Sequence, residues 1–453
     1  MTIDQSETTK TDSPNDSGFY SGITIEGFRQ FKKLELTNLG KVNLILGPNN
    51  AGKTSILEAI YIHACHGNMG LIFENLLLSR ISQTRNNSGF LEIGEQILSL
   101  FNKKSDLPYK FIIASVDFQF NPSQELSNLD PRNVGYSYSL ADAYEQNSND
   151  SDSKNYLGNW QVIDSQHDQN YDLYYPSKLS ARISTLVNKN KNYPSTLVNK
   201  NKDKNKDKNK DKNKYKNKYK NKYKNENFPS NFLNKYKNEN FPSNKKMSLP
   251  QNSSVVSKGI FHDILAHREP KSTIAIFSHL KRYRLLEKFT KEMKAIFPIK
   301  EIDSIPYPDG SFSPIYIINS NDELLPIYNF GDGMRRWFHL LGNLMIYPNS
   351  VHLIEEIDAT FHPNAQEKFG HLLVEYAEKF NNQLFMTSHN LEFADKFLES
   401  LYGEEGSIPE DKDDPVRVIT IDKSPDDPEV NTVWNLTGRQ AYRGRKLYDL
   451  ELR

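Results

Sequence analysis

One glycine-bounded loop constrains this chain more than any other stretch. Gly47 and residues 52–54 fit the pattern G-x-x-x-x-G-K-[ST]. Residues 42–46 before the loop are mostly apolar, which predicts a buried parallel strand, and residues 55–60 predict the first turns of a helix. Backbone N–H groups and the positive end of the helix dipole then meet in one place, as a phosphate site requires. The stretch predicts a binding site for a nucleoside triphosphate.

Single residues of this loop have separate predicted roles. Lys53 is placed to reach the β- and γ-phosphates, and the Thr54 hydroxyl to bind Mg²⁺. A chance glycine turn is the alternative, and the predicted strand and helix on either side disfavour it. The residues of the loop predicted to bind the nucleotide are Gly47, Asn49, Asn50, Ala51, Gly52, Lys53, Thr54 and Ser55.

Two later apolar runs end in polar side chains. Residues 351–354 lead to Glu355 and Glu356, which predicts one carboxylate that binds Mg²⁺ and a second that acts as general base on water. A carboxylate pair after a strand is common, so the preceding phosphate loop gives this pair its weight. Residues 383–387 lead to His389, at the strand edge where open parallel sheets bind ligands; a structural histidine is the alternative. We predict Thr54 and Glu355 as metal ligands, and Glu356, His389 and Lys53 as catalytic residues.

The middle of the chain has a different composition. Residues 184–246 consist of short Lys/Asn repeats with 19 Lys against 5 acidic residues, which leaves 38 basic and 52 acidic residues elsewhere. Interleaved Lys and Tyr side chains can bind nucleic acid through phosphate attraction and stacking. A solvated insertion with no specific partner is the favoured alternative. The neutral total charge therefore conceals a basic segment in an acidic chain.

Cysteine content and hydropathy limit the compartment. The single cysteine, Cys65, excludes an intramolecular disulfide and fits a reducing compartment. No apolar run approaches the roughly 20 residues that a membrane helix needs. The polar residues 1–18 lack the basic-then-apolar order of a secretion signal. We expect a cytoplasmic protein with no membrane partner.

The motifs together resemble one group of ATPases. Residues 47–54, 331–336, 353–363 and 385–389 resemble, in order and spacing, the ABC-type AAA ATPases of the OLD, RecF and SMC group. The resemblance covers about a third of the chain. It implies that ATP and Mg²⁺ bind, that ATP is hydrolysed, and that ATP lies between two subunits of a homodimer or higher oligomer. By resemblance, the γ-phosphate held by one subunit is bound by the other subunit's Asn329, Gly331 and Gly333.

The chain departs from this group at two motifs. Glu355 stands where the wider family usually has Asp, which leaves the metal geometry and the turnover rate open. The segment from Gly331 to Gly333 is a degenerate form of the Ser-Gly-Gly signature.

The resemblance also bears on partners. About sixty residues follow His389, fewer than the nuclease domain fused to OLD proteins needs, and no heptad stretch predicts an SMC-type coiled coil. We therefore expect a separate nuclease or toxin effector, in phage defence or DNA maintenance. Two alternatives stay open: a DNA-repair type ATPase that engages DNA directly, and a scaffold that ATP assembles without hydrolysis.

We predict an α/β fold: a P-loop NTPase with a mainly parallel sheet, an antiparallel layer, helices on both faces, and a helical and low-complexity insertion. Locally, residues 109–120 predict one strand and residues 280–297 one amphipathic helix. The predicted segments are a disordered N-terminus (1–18), the first part of the ATPase domain with the phosphate loop (19–68), an inserted region of helices and strands (69–183), a disordered Lys/Asn-rich insertion (184–256), and the second part of the ATPase domain (257–453).

Overall fold

The structure is a computed structural model that describes part of the chain. The described residues are 19–65, 97–102, 109–114, 116–122, 156–163, 168–174, 187–188, 258–305, 314–361, 363–404, 408, 413–424 and 431–452. The predicted disordered N-terminus lies outside them. So does the predicted insertion 184–256, apart from Val187–Asn188, which pair with a neighbouring strand.

The described elements are sixteen strands and seven α-helices. In chain order the strands are β1 (Ile23–Phe28), β2 (Phe31–Leu36), β3 (Val42–Leu46), β4 (Tyr109–Ile113), β5 (Val116–Pro122), β6 (Tyr156–Ile163), β7 (Asp168–Tyr174), β8 (Val187–Asn188), β9 (Lys258–His262), β10 (Ile299–Ser304), β11 (Ile315–Asn319), β12 (Leu324–Pro326), β13 (Ser350–Ile354), β14 (Gln383–Thr387), β15 (Val416–Lys423) and β16 (Asn431–Thr437). The helices are α1 (Lys53–Ala64), α2 (Pro270–Arg282), α3 (Leu286–Ile296), α4 (Asp332–Ile346), α5 (Pro363–Lys379), α6 (Leu391–Tyr402) and α7 (Gly438–Tyr448), with short 3₁₀ turns at Ala266–Arg268 and Ile327–Asn329.

A six-stranded sheet of order β16-β15-β3-β14-β13-β9 organises the described residues. All its strand pairs are parallel except β15 with β16. The three strands predicted from the motifs, β3, β14 and β13, are neighbours, and each is fully buried. Because they run parallel, their carboxyl ends meet at one edge of the sheet. The predicted mainly parallel sheet is confirmed.

The two faces of this sheet carry different layers. Ile45, Leu353 and Phe385 point to one face, where they pack with α1 and the antiparallel strands. Their neighbours Leu44 and Met386 point to the other face and pack with the helices α2 to α6. Successive side chains of a strand alternate between faces, so one continuously apolar strand can supply both cores. The predicted helices on both faces are confirmed.

The antiparallel layer is a seven-stranded sheet of order β2-β1-β4-β5-β6-β7-β8. Glu26 of β1 pairs with Ile112 of β4, so this sheet joins segments on both sides of the predicted boundary at residue 69. The single strand predicted over residues 109–120 is wrong, because it is a hairpin of β4 and β5. Ala114 has a φ of 51° at the turn, a conformation that the aromatic and β-branched composition gave no reason to expect.

The single helix predicted over residues 280–297 is also wrong. α2 ends at Arg282 and α3 begins at Leu286, with Arg284 at a φ of 57° between them. The Leu285 N–H donates to the Leu280 carbonyl over 2.8 Å, which closes the turn. This change of direction brings Phe289 of α3 to the ring of Phe338 on α4, with the ring centres 4.9 Å apart. Tertiary packing therefore overrides the continuous helical periodicity.

The remaining described sheet has three strands in the order β10-β11-β12. Its strands β11 and β12 form an antiparallel hairpin. Within the described ranges, no helix has both the length and the apolar character that crossing a membrane would require.

Candidate nucleotide-binding and catalytic site

The phosphate loop leads from β3 into α1 with a backbone that requires glycine at two positions. Gly47 has a φ of 145°, and a Cβ there would lie 2.2 Å from the Ile421 carbonyl oxygen. Gly52 has a φ of 98° and would clash with Gln30 in the same way, at 2.3 Å. No side chain caps the N-terminus of α1. Its first N–H groups therefore remain available to an anion, as the motif predicts.

Lys53 lies across the loop. Its Nζ donates to the carbonyl oxygens of Gly47, over 2.7 Å, and of Pro48, over 2.9 Å. Burial lowers the pKa of Lys53, and the nearby charges of Glu356 and Asp358 oppose that shift. A bound phosphate would take the place of these carbonyls as the partner of the ammonium group.

Thr54 and Glu355 are brought together, as predicted. The Thr54 hydroxyl donates to Glu355 Oε1 over 2.8 Å. The nearby Asp358 is buried, and its Oδ1 has no hydrogen-bond partner among the described residues. Hydroxyl and carboxylate oxygens are the hard ligands that Mg²⁺ prefers, so this donor set fits the predicted metal.

Glu356 and His389 face each other at the open edge of the site. His389 Nδ1 lies 3.9 Å from Glu356 Oε1, and both side chains are about half exposed. The Glu356 backbone has a φ of 44°, and its N–H donates to Thr387 Oγ1 over 2.9 Å. The half-exposed carboxylate is therefore accessible to water.

Main-chain bonds fix the strand ends relative to one another. The Ser388 N–H donates to the Ile45 carbonyl over 3.1 Å, and the Ile357 N–H to the Thr387 carbonyl over 2.9 Å. The ends of β3, β14 and β13 are therefore held in register at the predicted site.

The glycine-rich signature lies at the N-terminus of α4. Asn329 ends a 3₁₀ turn, and Gly331 precedes the first residue of the helix. Open space surrounds the Cα of Gly331, whereas a Cβ on Gly333 would lie 2.9 Å from the Thr360 carbonyl oxygen. In the described part of the chain, no hydrogen bond or ion pair joins the signature to residues 47–55.

Two arginines balance the negative charge of Asp332, the acidic residue inside the signature. Asp332 Oδ2 accepts from Arg268 over 2.6 Å, and its other oxygen is ion-paired with Arg335. Burial would raise the pKa of Asp332, but the hydrogen bond from Arg268 and the charges of both arginines hold it below its usual value. The carboxylate therefore stays ionised without presenting an uncompensated charge to an incoming phosphate.

The structure adds Gln30 to the predicted loop residues. Its Nε2 donates to the Asn50 carbonyl over 3.3 Å, and its Oε1 accepts from the Ser55 hydroxyl over 3.4 Å. Gln30 lies in the β1–β2 turn, which a buried ion pair between Arg29 and Glu58 ties to α1. Nothing local in the sequence indicates this contact, because it depends on how the antiparallel sheet packs on the loop.

Arg336 is a second residue that the sequence did not single out for the site. The residue is 5% exposed. Its Nη2 donates to the carbonyls of Glu355 and Glu356 over 2.6 and 2.7 Å, and its Nη1 to that of Ala359 over 3.1 Å. Burial lowers its pKa to about 10, against the opposing charge of Asp358. The guanidinium is therefore charged at neutral pH. A charge at the start of a mostly apolar helical run was the available signal.

Known proteins resemble parts of this chain. The DNA replication and repair proteins RecF of Bacillus thuringiensis (strain Al Hakam) and Bacillus cereus (strain B4264) are each 48% identical to it over 46 residues. These residues are 10% of this chain, and the match spans only 12% of the length of either relative.

Two solved structures are similar over most of the chain. An SMC head bound to the C-terminal winged-helix domain of ScpA covers 93% of this chain and 99% of its own, with 11% identity and a TM-score of 0.41. The SMC head domain from Thermotoga maritima covers 92% and 98%, with 10% identity and a TM-score of 0.37.

A family model decides the assignment. The model described as "AAA ATPase domain" matches residues 21–394, which include the phosphate loop, the signature, the acidic strand and His389. The predicted P-loop fold and the predicted kind of ATPase are both confirmed by this match. The chain belongs to the AAA ATPase domain family.

Proposed function

We propose that this protein hydrolyses ATP with Mg²⁺ and that ATP joins two copies of the chain, as a homodimer or within a higher oligomer. The contact between Thr54 and Glu355 carries the proposal, because it joins the phosphate loop to the acidic strand end. An ATP phosphate on the loop would then lie next to the carboxylate pair. The bridged pair would act as a switch whose state depends on the nucleotide.

Different residues of one chain would bind the phosphates, hold the metal and activate the attacking water. The N-terminus of α1 and Lys53 bind the phosphates, and Thr54 and Glu355 hold Mg²⁺, which neutralises phosphate charge when bound. Glu356 accepts the proton of the attacking water, and His389 binds the γ-phosphate edge beside it. The second chain's Asn329, Gly331 and Gly333 close the site with the uncapped N-terminus of α4, which favours an anion.

The switch would act on a partner. We propose a separate nuclease or toxin effector, in phage defence or DNA maintenance, which senses the ATP-bridged pair. This part of the proposal rests on the motif resemblance given by the sequence.

Phosphate release from Mg-ATP by the purified protein, with and without duplex DNA, tests the proposal. Lys53→Ala is expected to abolish both ATP binding and turnover. Glu356→Gln is expected to abolish turnover and keep binding, because it removes the base and leaves the phosphate loop intact. A wild-type protein that binds ATP through Lys53 but releases no phosphate would favour the non-hydrolysing scaffold.

Direct engagement of DNA is a second candidate function. It is favoured by a basic surface on α2 and α3, formed by Arg282, Arg284, Lys288, Lys291 and Lys294, all exposed. Apart from Lys288, which lies over the Phe380 ring, these side chains have no ion pair or hydrogen bond among the described residues. The surface differs in charge from the rest of the chain, which is acidic outside residues 184–246. Such a surface suits a phosphate backbone.

Binding to duplex DNA at several salt concentrations tests this candidate. Arg282→Glu with Lys291→Glu, and separately a deletion of residues 184–246, are compared with the wild type. A loss of affinity and a shallower salt dependence in the first variant would assign DNA to the α2–α3 surface, and in the second variant to the repeat segment. Salt-independent or absent binding in the wild type would rule against this function.

A further inference from the structure

The signature helix and the catalytic carboxylates are joined inside one chain. Residues 355–361, called the acidic loop here, follow β13 and pass the N-terminus of α4. α4 and the acidic loop contact each other at two places. Gly333 lies against the Thr360 carbonyl, and Trp337 packs on Phe361 with ring centres 6.4 Å apart. Arg336, which lies between Gly333 and Trp337 in the sequence, donates three hydrogen bonds to carbonyls of the loop.

Two of these three bonds reach Glu355 and Glu356, the residues with the proposed metal and base roles. Arg336 Nη2 bonds both the Glu355 and the Glu356 carbonyl, so a single nitrogen fixes the backbone of the metal ligand and of the general base. Glu356 has a positive φ, which residues other than glycine rarely adopt, so its backbone needs such support. Among the described residues outside the acidic loop, Arg336 and Thr387 are the two that form hydrogen bonds with the Glu356 main chain.

We propose that Arg336 is a positioning residue that couples occupation of the N-terminus of α4 to the placement of Glu355 and Glu356. The inference rests on the proposed function, in which a second subunit's ATP binds at that helix end. When α4 settles onto the γ-phosphate, Arg336 moves with the helix and carries the backbone of the acidic loop with it. Each subunit then sets its own carboxylates according to whether it has engaged its partner's nucleotide.

An arginine suits this task better than a lysine. Its planar guanidinium presents five donors in a fixed fork, which matches three carbonyls that lie in different directions. A lysine keeps the charge that Asp358 and Glu356 face, but its single nitrogen cannot span the oxygens that Nη1 and Nη2 of the arginine reach separately. Arg336→Lys therefore keeps the positive charge beside the carboxylates but loses the hydrogen bonds that place the acidic loop.

Three measurements on the full chain test the proposal: kcat and KM for ATP, ATP-dependent pairing by light scattering, and thermal unfolding. Arg336→Lys is expected to lower kcat by about tenfold or more and to leave KM within about twofold, as loss of a transition-state interaction does. Pairing is expected to stay at the wild-type value, whereas Tm falls modestly because a carbonyl of the acidic loop loses its donor. Arg445→Lys is the matched control, since Arg445 bonds both oxygens of Asp395 on α6, over 2.8 Å each.

The outcomes distinguish a failure of the proposed function from a failure of the role of Arg336 alone. If the wild-type protein shows no turnover, or turnover per subunit that does not rise with protein concentration, the proposed function fails and the inference falls with it. If the wild type passes that test, an Arg336→Lys protein with wild-type kcat overturns the inference alone. A parallel loss of Tm, pairing and turnover in Arg336→Lys, absent in the Arg445→Lys control, would also overturn it by showing a purely structural role.

Discussion

Glu356 combines an exposed carboxylate with a restrained backbone. Its φ of 44° costs on the order of 1–2 kcal/mol in a residue with a side chain. Two contacts from different elements compensate: the Thr387 hydroxyl on β14 and the Arg336 guanidinium on α4. Strain of this kind persists only where the surroundings over-determine it, and here it aims the carboxylate at the phosphate loop.

Thr387 provides a direct test of that support. Thr387→Val keeps the shape of the 1% exposed side chain but leaves the partly buried Glu356 N–H without its acceptor. We expect a loss of about 1–3 kcal/mol in the free energy of unfolding, measured in urea, and a lower rate of phosphate release. Thr387→Ser keeps the hydroxyl and should retain most of both. Equal behaviour of the two variants would show that the hydrogen bond is not what supports Glu356.

The two signature glycines should differ in their tolerance of a methyl group. Gly333→Ala places a Cβ 2.9 Å from the Thr360 carbonyl, and we expect it to cost about 1–3 kcal/mol of stability. Gly331→Ala meets open space at an ordinary φ of −62°, and its cost should stay below about 1 kcal/mol. Chemical denaturation of both variants measures the difference. The reverse order would contradict the packing of α4 on the acidic loop.

The sequence indicated the site only where a chemically informative residue directly follows a buried strand. The phosphate loop, the carboxylate pair and His389 each follow a buried strand, and a parallel sheet necessarily gathers such strand ends. Gln30 and Arg336 escaped prediction because each reaches the site from an element that is distant in sequence. All three hydrogen bonds of Arg336 and one of the two from Gln30 end on main-chain oxygens, which leave no pattern in the side chains nearby.

At the scale of elements, α4 rests on a buried group of histidines. His262 of β9 and His352 of β13 are joined by a 2.9 Å hydrogen bond, and His339 of α4 bonds the Ser272 hydroxyl over 2.5 Å. Burial lowers the pKa of His339 to about 3, with smaller contributions from the charges of His267 and Arg336. Burial also lowers the pKa of His262, so His262 and His339 are both neutral in the folded protein at physiological pH.

The buried histidines predict acid sensitivity. The unfolded chain protonates His339 near pH 6.5 and the folded chain only near pH 3, so stability is complete above pH 6.5 and falls as the pH drops through that window. At pH 5.5 the loss from this residue is about 1.4 kcal/mol. Urea unfolding at pH 7.5 and 5.5 measures it. His339→Gln, whose amide can still bond Ser272, should lose correspondingly less between the two pH values; an unchanged difference would refute the assignment.

Elements were predictable where their signals are local. The strand, loop and helix around residues 42–64 were predicted correctly because apolar run, glycine spacing and helical periodicity all lie within that one stretch. The hairpin of β4 and β5 and the break between α2 and α3 were not. Each contains a residue at positive φ, Ala114 or Arg284, whose side chain favours no such turn. Packing against distant elements selects these turns, and the local sequence does not encode it.

At the scale of the whole molecule, the proposed pairing makes each site a product of two chains. A Lys53→Ala subunit lacks the lysine of its phosphate loop, and a Gly331→Glu subunit offers a charge where the partner's γ-phosphate would bind, in space that is open. Each variant alone should be inactive. A mixture should recover about a quarter of wild-type phosphate release, because half the pairs are mixed and each has one intact site of two.

The control for that mixture is Lys53→Ala combined with Gly331→Glu in one chain, mixed with an equal amount of either single variant. No intact composite site can form from these partners, so no activity should return. If the first mixture also stays inactive while both proteins still pair, the signature does not act across subunits.

The attachment of the repeat segment has a consequence for the evolution of this chain. β8 lies at one edge of the seven-stranded sheet and β9 at one edge of the six-stranded sheet, and residues 189–257 connect them. Because the connection leaves and returns at outer strands, its length changes no strand order. Tandem duplications of the coding DNA here would thus escape purifying selection on the fold. We expect copy number in this segment to differ between close lineages while the strands on either side stay constant in length.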